Sequence, residues 1–448
     1  MRSGPNKQPG YAVLLIAAVL LAPSAGSASR QYNDPAAHRR PHARHRAHTA
    51  DPLNLLSHNQ YLKLEKALKT EPNIPSPERI FFAGVLANRK NQITQSIGLL
   101  KPLISNSAWN LTQEEQELGL RALADDYAKT FRYGDAADTL STLLYRLGGS
   151  LDKSKRQDIE GDLRTYELLR HTPPETVSFS GPFDIASTRN KIGLVEIPVS
   201  VNGHAEPWAL DTGANLSLLI RSRAEPLGLR LSPGTLSVEI FDGRTAPCPV
   251  SVIPRLTIGP ATIRNVVVVV MDDKDYYVPQ IHFQIEALLG YPVLSALGRI
   301  TFYSDGRIRV DARSRPKASV GSPMFMEQLT PVVAADDGMT ARLFTLDTGA
   351  ANTFLTAKYL SAHHAEFAAA KKSTVQMAAH PHPLPAFYAE HVTLTIGGVV
   401  VHLKSIPVLA VPQGNGEDHF YGNLGQDVLK QFRSYTIDFR SMRFVADR

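Results

Sequence analysis

The spacing of apolar residues changes along the chain and indicates two kinds of secondary structure. From Leu53 to about Arg170, apolar residues recur at three- and four-residue spacing, as in Ile80-Phe81-Phe82 followed by Val85-Leu86. Because side chains three and four residues apart share one face of an α-helix, this region is predicted to be helical. After His171 the apolar runs are shorter, rich in β-branched residues and broken by Asn-Gly, Asp-Gly and Gly-Pro. Such runs are typical of strands joined by turns.

The first residues have the pattern of an export signal. Arg2 and Lys7 precede an apolar run from Tyr11 to Ala22, and small residues around Ala28 offer a cleavage site. About twenty apolar residues are needed to cross a bilayer, so this run is too short to span it comfortably. We therefore predict that the signal is cleaved and that no stable membrane span remains. Without cleavage, the same run would be an N-terminal membrane anchor.

Charge and cysteine content limit the possible functions. Much of the net charge of +6 lies in residues 29–50, where four histidines stand among arginines and prolines. This tract has too few apolar residues to form a core, so we predict a disordered linker and neither nucleic-acid binding nor a metal site. Cys248 is the only cysteine, which excludes an intrachain disulfide. An exported protein without disulfides is more typical of a bacterial periplasm than of a secreted protein.

The changes of pattern predict a multidomain chain. A short linker at Ser314-Arg315-Pro316-Lys317-Ala318-Ser319 separates two β-rich regions of similar length. The predicted segments are a signal peptide (1–28), a disordered linker (29–50), an α-helical domain (51–172), a first lobe (176–313), a linker (314–320) and a second lobe (321–448).

The helical domain contains a faint repeat. Ala83-Gly84, Ser96, Leu100 and Leu103 correspond to Leu123-Ala124, Ala136, Leu140 and Leu143, forty residues later. Small residues allow paired helices to approach closely, and the leucines fill the seam between them. The pattern resembles a tetratricopeptide-type array of α-helical hairpins, which implies a possible protein partner. A helical appendage that packs on the rest of the chain is an open alternative.

The two β-rich lobes carry the same motifs in the same order. The sequence Asp-Thr-Gly-Ala occurs at Asp211–Ala214 and again at Asp347–Ala350, each time after a leucine. A hairpin signal precedes each copy, and a Leu-Gly pair ending at Gly290 or Gly425 follows at nearly the same distance. This repetition predicts a tandem duplication. Two carboxylates held about 3 Å apart share one proton and can serve as base and acid toward a single water.

On these motifs each lobe resembles one subunit of a retropepsin-like aspartic protease of the bacterial aspartyl protease family. In that family two subunits meet with their Asp-Thr-Gly loops facing each other. The resemblance implies two all-β lobes that form a pseudo-dimer within one chain, act on a polypeptide substrate and need no cofactor.

The resemblance also assigns roles to residues. Asp211 and Asp347 are the expected catalytic pair, and the sequence leaves open which of them is the base. The threonines are expected to bond across to the opposite loop, the glycines to let the backbone approach the carboxylates, and the small hydroxyls to support the loops. The residues assigned to this support are Thr212, Gly213, Ala214, Ser217, Thr348, Gly349, Ala350 and Thr353.

A β-hairpin flap is expected to cover the substrate in the first lobe, with Phe241, Asp242 and Gly243 at its tip. In the second lobe, prolines around His380 and His382 are expected to disrupt the corresponding hairpin and to leave a rigid loop.

The chain departs from the family at two pairs of positions. Asn215 and Ala351 follow the Asp-Thr-Gly-Ala motifs, where viral retropepsins usually have aspartate. Tyr291 and Gln426 follow the later glycines, where arginine is common. These changes affect substrate binding and the bracing of the lobes, and they leave the catalytic pair intact.

The sequence predicts an exported aspartic endopeptidase. A catalytically inactive, protease-like binding module that recruits partners through the helical domain is the alternative. Two intact Asp-Thr-Gly motifs favour the enzyme, because a binding module would be free to lose either carboxylate. The short linker between the lobes favours their pairing within one chain over pairing between two chains.

Overall fold

The computed structural model describes residues 13–14, 51–71, 74, 76–105, 111–240, 244–278, 281–311, 320–377, 382–413 and 416–448. The described helical residues up to His171 form one compact unit, and those from Thr172 to Arg448 form the main part of a second. The predicted disordered linker, the flap tip Phe241–Gly243 and nearly all of the linker 314–320 lie outside the described residues. So does the predicted signal peptide, except for residues 13–14.

The helical unit confirms the periodicity read from the sequence. Thr112 and Glu115 form a reciprocal capping box at the start of the fifth helix, where backbone N–H groups lack partners within the helix. A Cβ atom added at Gly84 would lie 2.8 Å from the Leu100 side chain, so this glycine permits close packing of the third and fourth helices. The described residues of this unit form the helices α1 (Pro52–Ser57), α2 (Tyr61–Thr70), α3 (Ser76–Arg89), α4 (Ile93–Ser105), α5 (Gln113–Lys129), α6 (Tyr133–Leu147) and α7 (Lys153–Leu168).

The second unit is built mainly from strands. The two-residue strand β1 (Val13–Leu14) pairs in parallel with Gln376 and Met377 of a later strand. The first lobe contains β2 (Thr176–Ser178), β3 (Phe183–Ala186), β4 (Thr188–Arg189), β5 (Val195–Val201), β6 (His204–Leu210), β7 (Ser217–Ile220), α8 (Arg221–Ala224), β8 (Thr235–Glu239), β9 (Thr245–Ile258), β10 (Ala261–Met271), β11 (Tyr277–Val278), β12 (Phe283–Gln284), β13 (Ala287–Leu289), α9 (Tyr291–Leu297), β14 (Arg299–Tyr303) and β15 (Arg307–Val310).

The second lobe follows with a similar succession of elements. It contains β16 (Ser322–Glu327), β17 (Thr330–Asp336), β18 (Ala341–Leu346), β19 (Phe354–Leu355), α10 (Ala357–Ala362), α11 (His364–Phe367), β20 (Ser373–Met377), β21 (Leu384–Ile396), β22 (Val399–Leu409), β23 (Gly422–Leu424), α12 (Gln426–Leu429), β24 (Ser434–Asp438) and β25 (Arg443–Asp447).

The strands that lead to the two aspartates are paired in the same way in both lobes. In the first lobe, β6 follows β5 in a hairpin, runs parallel to β13, and β13 lies antiparallel to β7. In the second lobe, β18 follows β17 in a hairpin, runs parallel to β23, and β23 lies antiparallel to β19. Each Asp-Thr-Gly loop therefore leaves the sheet at an equivalent point.

One sheet joins the two lobes. Strand β14 of the first lobe pairs antiparallel with β24 of the second, with Ile300 opposite Ile437. Alternate residues of β14 are buried, and the rings of Phe302 and Tyr435 stack with their centroids 4.6 Å apart. Since alternate residues of a strand point to one face, this sheet contributes apolar side chains to a core that both lobes share.

The hairpin expected to be disrupted in the second lobe is present, and that prediction was wrong. Strands β20 and β21 pair antiparallel, with Val375 opposite Leu384 and Thr374 opposite Pro385. A proline removes a single N–H donor, and β21 is also held by β22 on its other side, where the N–H of Ala410 bonds the Pro385 carbonyl at 2.9 Å. His382 is exposed, while His380 lies outside the described residues.

No helix in the described parts of the chain is both long enough and apolar enough to cross a membrane.

Candidate active site

The two aspartates stand directly after the central strands of their lobes. The backbone N–H of Asp211 donates to the Leu289 carbonyl at 3.0 Å, and that of Asp347 donates to the Leu424 carbonyl at 3.0 Å. Both bonds continue the parallel pairing of the strand before the aspartate with the strand before the later glycine. Trp208 and Leu210 at the end of β6, and Phe344 and Leu346 at the end of β18, are buried, so the end of each strand places an aspartate in the interior.

Threonine side chains connect the two loops reciprocally. The N–H of Thr212 donates to Oγ1 of Thr348 at 3.0 Å, and the N–H of Thr348 donates to Oγ1 of Thr212 at 3.0 Å. Each hydroxyl also donates across the interface, Thr212 to the Leu346 carbonyl at 2.5 Å and Thr348 to the Leu210 carbonyl at 2.7 Å. Four buried hydrogen bonds therefore fix the position of one aspartate loop relative to the other.

The motif glycines face the carboxyl group of the opposite loop. A Cβ atom added at Gly349 would lie 2.2 Å from Cγ of Asp211, and one at Gly213 would lie 2.9 Å from Cγ of Asp347. Real side chains do not approach so closely, so any larger residue would displace the carboxyl group. The two carboxyl groups are near enough for each to shift the pKa of the other. The geometry thus brings together the two aspartates that the sequence placed far apart.

Backbone donors hold one oxygen of each aspartate. Oδ1 of Asp211 accepts from the N–H groups of Gly213 at 2.8 Å and Ala214 at 3.1 Å. Oδ1 of Asp347 accepts from the N–H of Gly349 at 2.8 Å. Oδ2 of Asp211 is buried and has no hydrogen-bond partner among the described residues.

The small hydroxyls of Ser217 and Thr353 bond the later glycine of their own lobe. Oγ of Ser217 accepts from the N–H of Gly290 at 3.1 Å, and Oγ1 of Thr353 accepts from the N–H of Gly425 at 3.0 Å. The carbonyl of Ala214 accepts from the N–H of Tyr291 at 2.8 Å, and that of Ala350 accepts from the N–H of Gln426 at 2.9 Å. Each aspartate loop is therefore tied to the glycine turn of its own lobe.

Burial, charge and hydrogen bonding affect the pKa values of the two carboxyl groups differently. Burial raises the pKa of Asp211 well above its usual range, and the charge of Asp347 raises it further. Burial also raises the pKa of Asp347, but hydrogen bonds from Asn423 and from the Gly349 backbone act in the opposite direction. Because two adjacent buried carboxylates cannot both ionise readily, the pair shares one proton, and the hydrogen bond from Asn423 favours the ionised form of Asp347.

Asn423 contacts the aspartate pair and was not among the site residues predicted from the sequence. Its Nδ2 donates to Oδ2 of Asp347 at 3.0 Å, while its Oδ1 accepts from the hydroxyl of Thr345 at 2.5 Å. Thr345 thus orients the amide so that its N–H₂ group faces the aspartate. A comparison of the lobes could have revealed this residue, because Asn423 is polar and the corresponding residue of the first lobe, Leu288, is apolar.

Replacing Asn423 by leucine, the residue of the first lobe, is expected to shift the acidic limb of the pH–activity profile upward by about one pH unit. Loss of the donor destabilises the ionised form of Asp347 and raises its pKa, so activity disappears at a higher pH as the solution is acidified. The measurement is the pH dependence of kcat/KM for peptide cleavage. Thr345→Val, which keeps Asn423 but frees its amide, is expected to give a smaller shift in the same direction. An active Asn423→Leu variant with an unchanged profile would contradict this role.

A second unexpected contact involves Gln426, the residue that follows Gly425 in the second lobe. The guanidinium of Arg189, from β4 of the first lobe, donates to Oε1 of Gln426 at 2.8 Å. Nε2 of the buried Gln426 donates to the Thr348 carbonyl at 2.7 Å. An arginine of the first lobe therefore braces the Asp347 loop of the second lobe, which sequence order could not indicate.

Tyr276 is the third residue that the sequence did not reveal. It ends a 3₁₀ turn after β10 and is buried. Burial raises the pKa of Tyr276 well above its usual range, and the charges of Asp211 and Asp347 contribute to the same shift. This phenol is thus part of the electrostatic environment of the pair. Nothing around it in the sequence distinguishes it from the other tyrosines.

The structure describes only part of the predicted flap. Strands β8 and β9 pair antiparallel, and the N–H of Ile240 donates to the Arg244 carbonyl at 2.9 Å, while the predicted tip residues Phe241, Asp242 and Gly243 lie outside the described residues. Within the described parts of the chain, no group of three or more His, Cys, Asp or Glu side chains is arranged to hold a metal ion.

Part of the first lobe is similar to known aspartyl proteases. Residues 197–293 match the family model described as "Aspartyl protease", and the match includes Asp211 and the turn at Gly290. It supports a protease-like function. No curated protein matches the chain. Among solved structures, a retropepsin-like aspartic protease from Rickettsia conorii is 21% identical, over 31% of this chain and 92% of that chain, with a TM-score of 0.22.

Proposed function

We propose that the protein is an aspartic endopeptidase of retropepsin-like type that hydrolyses peptide bonds with a water activated by Asp211 and Asp347. The observation that carries the proposal is the reciprocal bonding of Thr212 and Thr348. The four hydrogen bonds that these threonines form across the interface hold the two aspartate loops in one arrangement. The raised pKa values of both aspartates support the sharing of one proton, which this chemistry needs.

The proposed mechanism assigns a different role to each carboxyl group. Asp347, ionised and supported by Asn423, accepts a proton from the water as its oxygen attacks the peptide carbonyl carbon. Asp211 donates its proton to the carbonyl oxygen, which gives a neutral tetrahedral intermediate. Asp347 then passes its proton to the departing nitrogen, while Asp211 regains a proton from the intermediate hydroxyl as the carbon–nitrogen bond breaks. The unpartnered Oδ2 of Asp211 is the atom through which it would contact the substrate.

We propose that both halves of the site come from one chain and arose by tandem duplication. The equivalent strand pairing of the two lobes supports a common origin. Strands β14 and β24 supply the lobe-to-lobe sheet within a single chain, and this supports a pseudo-dimer over an arrangement that needs a second molecule.

The export signal and the helical unit extend the proposal. We propose that residues 1–28 direct the chain to the periplasm and that the helical unit, as a tetratricopeptide-like array, binds a protein partner or substrate. Sequencing of the mature N-terminus tests the first point, since cleavage would leave Ser29 as the first residue.

The decisive test of the proposed function is cleavage of a denatured protein and of a random peptide library from about pH 3 to about pH 7.5. Wild type should cleave both substrates and be inhibited by pepstatin, while Asp347→Asn should be inactive. A folded wild-type protein without activity would instead favour the binding module. The burial of both carboxyl groups, 0% exposed for Asp211 and 3% for Asp347, is the feature that agrees with that alternative.

A further inference from the structure

A cleft of about 310 Å³ lies beside the sheet that joins the lobes, away from the side chains of the aspartate pair. Its lining includes Ser187, Thr188 and Arg189 from the first lobe and Lys430, which directly follows α12, from the second. The floor is largely aromatic and apolar, with contributions from Phe302, Leu429, Phe432 and Tyr435. Its volume is at the lower end of the range for small-molecule sites.

Two cations converge at one edge of this cleft. Nη1 of Arg189 donates to the Gly193 carbonyl at 2.7 Å, and a Cβ atom added at Gly193 would lie 2.6 Å from Nζ of Lys430. Neither cation forms an ion pair with any described residue. The Lys430 side chain is exposed to solvent, yet the burial that it has and the charge of Arg189 lower its pKa. Neighbouring like charges without a counter-charge repel each other, and an anion between them would relieve that repulsion.

The nearest carboxylates do not neutralise this pair. Asp305 lines the cleft, but its Oδ2 lies 3.9 Å from Nε of Arg307. Asp427 raises the pKa of Lys430 slightly through its charge, yet its Oδ1 accepts from the hydroxyl of Thr353 at 2.6 Å. The local charge therefore remains positive.

The aromatic floor contains a polar group without a partner. Tyr435 lines the cleft, is 4% exposed, and its buried hydroxyl has no hydrogen-bond partner among the described residues. This hydroxyl is itself buried, so the cleft offers a ligand two positive charges and an apolar surface.

We propose that this cleft binds a small organic anion, a carboxylate or a phosphate attached to an apolar body. The anionic group lies between Arg189 and Lys430, and the apolar body contacts the rings of Phe302 and Phe432. Arg189 also holds Gln426, which in turn holds the Thr348 carbonyl, so the ligand contacts a group that braces the catalytic loop. Binding is therefore expected to alter the dyad, an effect that rests on the proposed function.

The test is calorimetric titration of the full-length protein with N-acetylphenylalanine and with phenyl phosphate, and with neutral N-acetylphenylalaninamide as the uncharged control. At least one anion should bind, and the amide should bind at least about tenfold more weakly. The two anions distinguish a carboxylate ligand from a phosphate ligand. Lys430→Met and Arg189→Met should each weaken anion binding by about tenfold or more, whereas Arg255→Met, which removes an exposed arginine of β9, should have no effect.

Failure of both anions to bind, or binding that survives both cleft substitutions, would overturn the proposal. Lys430 is exposed, so its variant is expected to fold, and circular dichroism checks this. Because binding is measured without proteolysis, its outcome is independent of whether the protein is an enzyme. If peptide cleavage is established, a saturating anion should shift the pH–activity profile of wild type but not of Arg189→Met. An unchanged wild-type profile with the anion bound would overturn the coupling.

Discussion

Asp211→Asn is expected to reduce peptide cleavage by about 10²–10⁴-fold and, at the same time, to stabilise the folded protein at neutral pH. The loss of activity follows because an asparagine cannot donate the proton that the substrate carbonyl oxygen needs. The gain in stability follows from the raised pKa of Asp211 in the folded state. The two effects have a common origin in the burial of two adjacent carboxyl groups.

The direction of the stability effect depends on pH. Below about pH 3.8, the ordinary value for aspartate, both the folded and unfolded states bind the proton, and the buried carboxyl group has no titration cost. As the pH rises above that value, the unfolded state releases its proton while the folded state retains it, so wild-type stability declines. The amide side chain of the variant does not titrate. The melting temperature of the variant should therefore exceed that of wild type at pH 7, with little difference near pH 3.5.

Thermal melts at both pH values and kcat/KM on one peptide check this prediction. Asp447→Asn, which removes an exposed carboxylate from β25, is the matched control and should leave both quantities nearly unchanged. Retained turnover in Asp211→Asn would exclude a site shared by the two lobes. An inactive variant that is less stable than wild type at pH 7 would contradict the electrostatic argument.

Gly349→Ala is expected to abolish activity and to destabilise the fold by about 1–3 kcal/mol. The added methyl group would lie 2.2 Å from Cγ and 2.4 Å from both carboxyl oxygens of Asp211. The Asp211 carboxyl group cannot move aside freely, because Gly213 and Ala214 hold its Oδ1 and the surrounding residues are buried. The new methyl must therefore separate the two aspartate loops and weaken the bonds of Thr212 and Thr348.

Denaturant unfolding and peptide cleavage measure the two effects. Gly181→Ala is the matched control, since a Cβ atom at Gly181 would meet no atom within 4 Å. The activity and stability of Gly213→Ala should lie between those of Gly349→Ala and Gly181→Ala, because its added atom would lie 2.9 Å from Cγ of Asp347. An active and stable Gly349→Ala variant would show that the two loops are not in contact in solution.

Local sequence was sufficient for the parts of this protein that depend on periodicity and on short motifs. Three- and four-residue spacing identified the helical region, and β-branched runs identified the strands. Repetition of Asp-Thr-Gly-Ala selected Asp211 and Asp347, together with the threonines and glycines around them. Such inferences are possible from local sequence because strand ends, tight loops and close backbone approach each require particular residue types within a few positions.

Tertiary structure decided the features that depend on residues far apart in the chain. Asn423 contacts Asp347 across a parallel strand pair, and Arg189 reaches Gln426 from the opposite lobe. The second-lobe hairpin tolerates Pro385 because β22 supports the strand from its other side. Asn423 bonds Asp347 and thereby favours the ionised form of that aspartate. Hydrogen bonds and charges act through space, so their effects on the pKa of a buried group are set by which segments pack together, and the order of residues alone does not specify that packing.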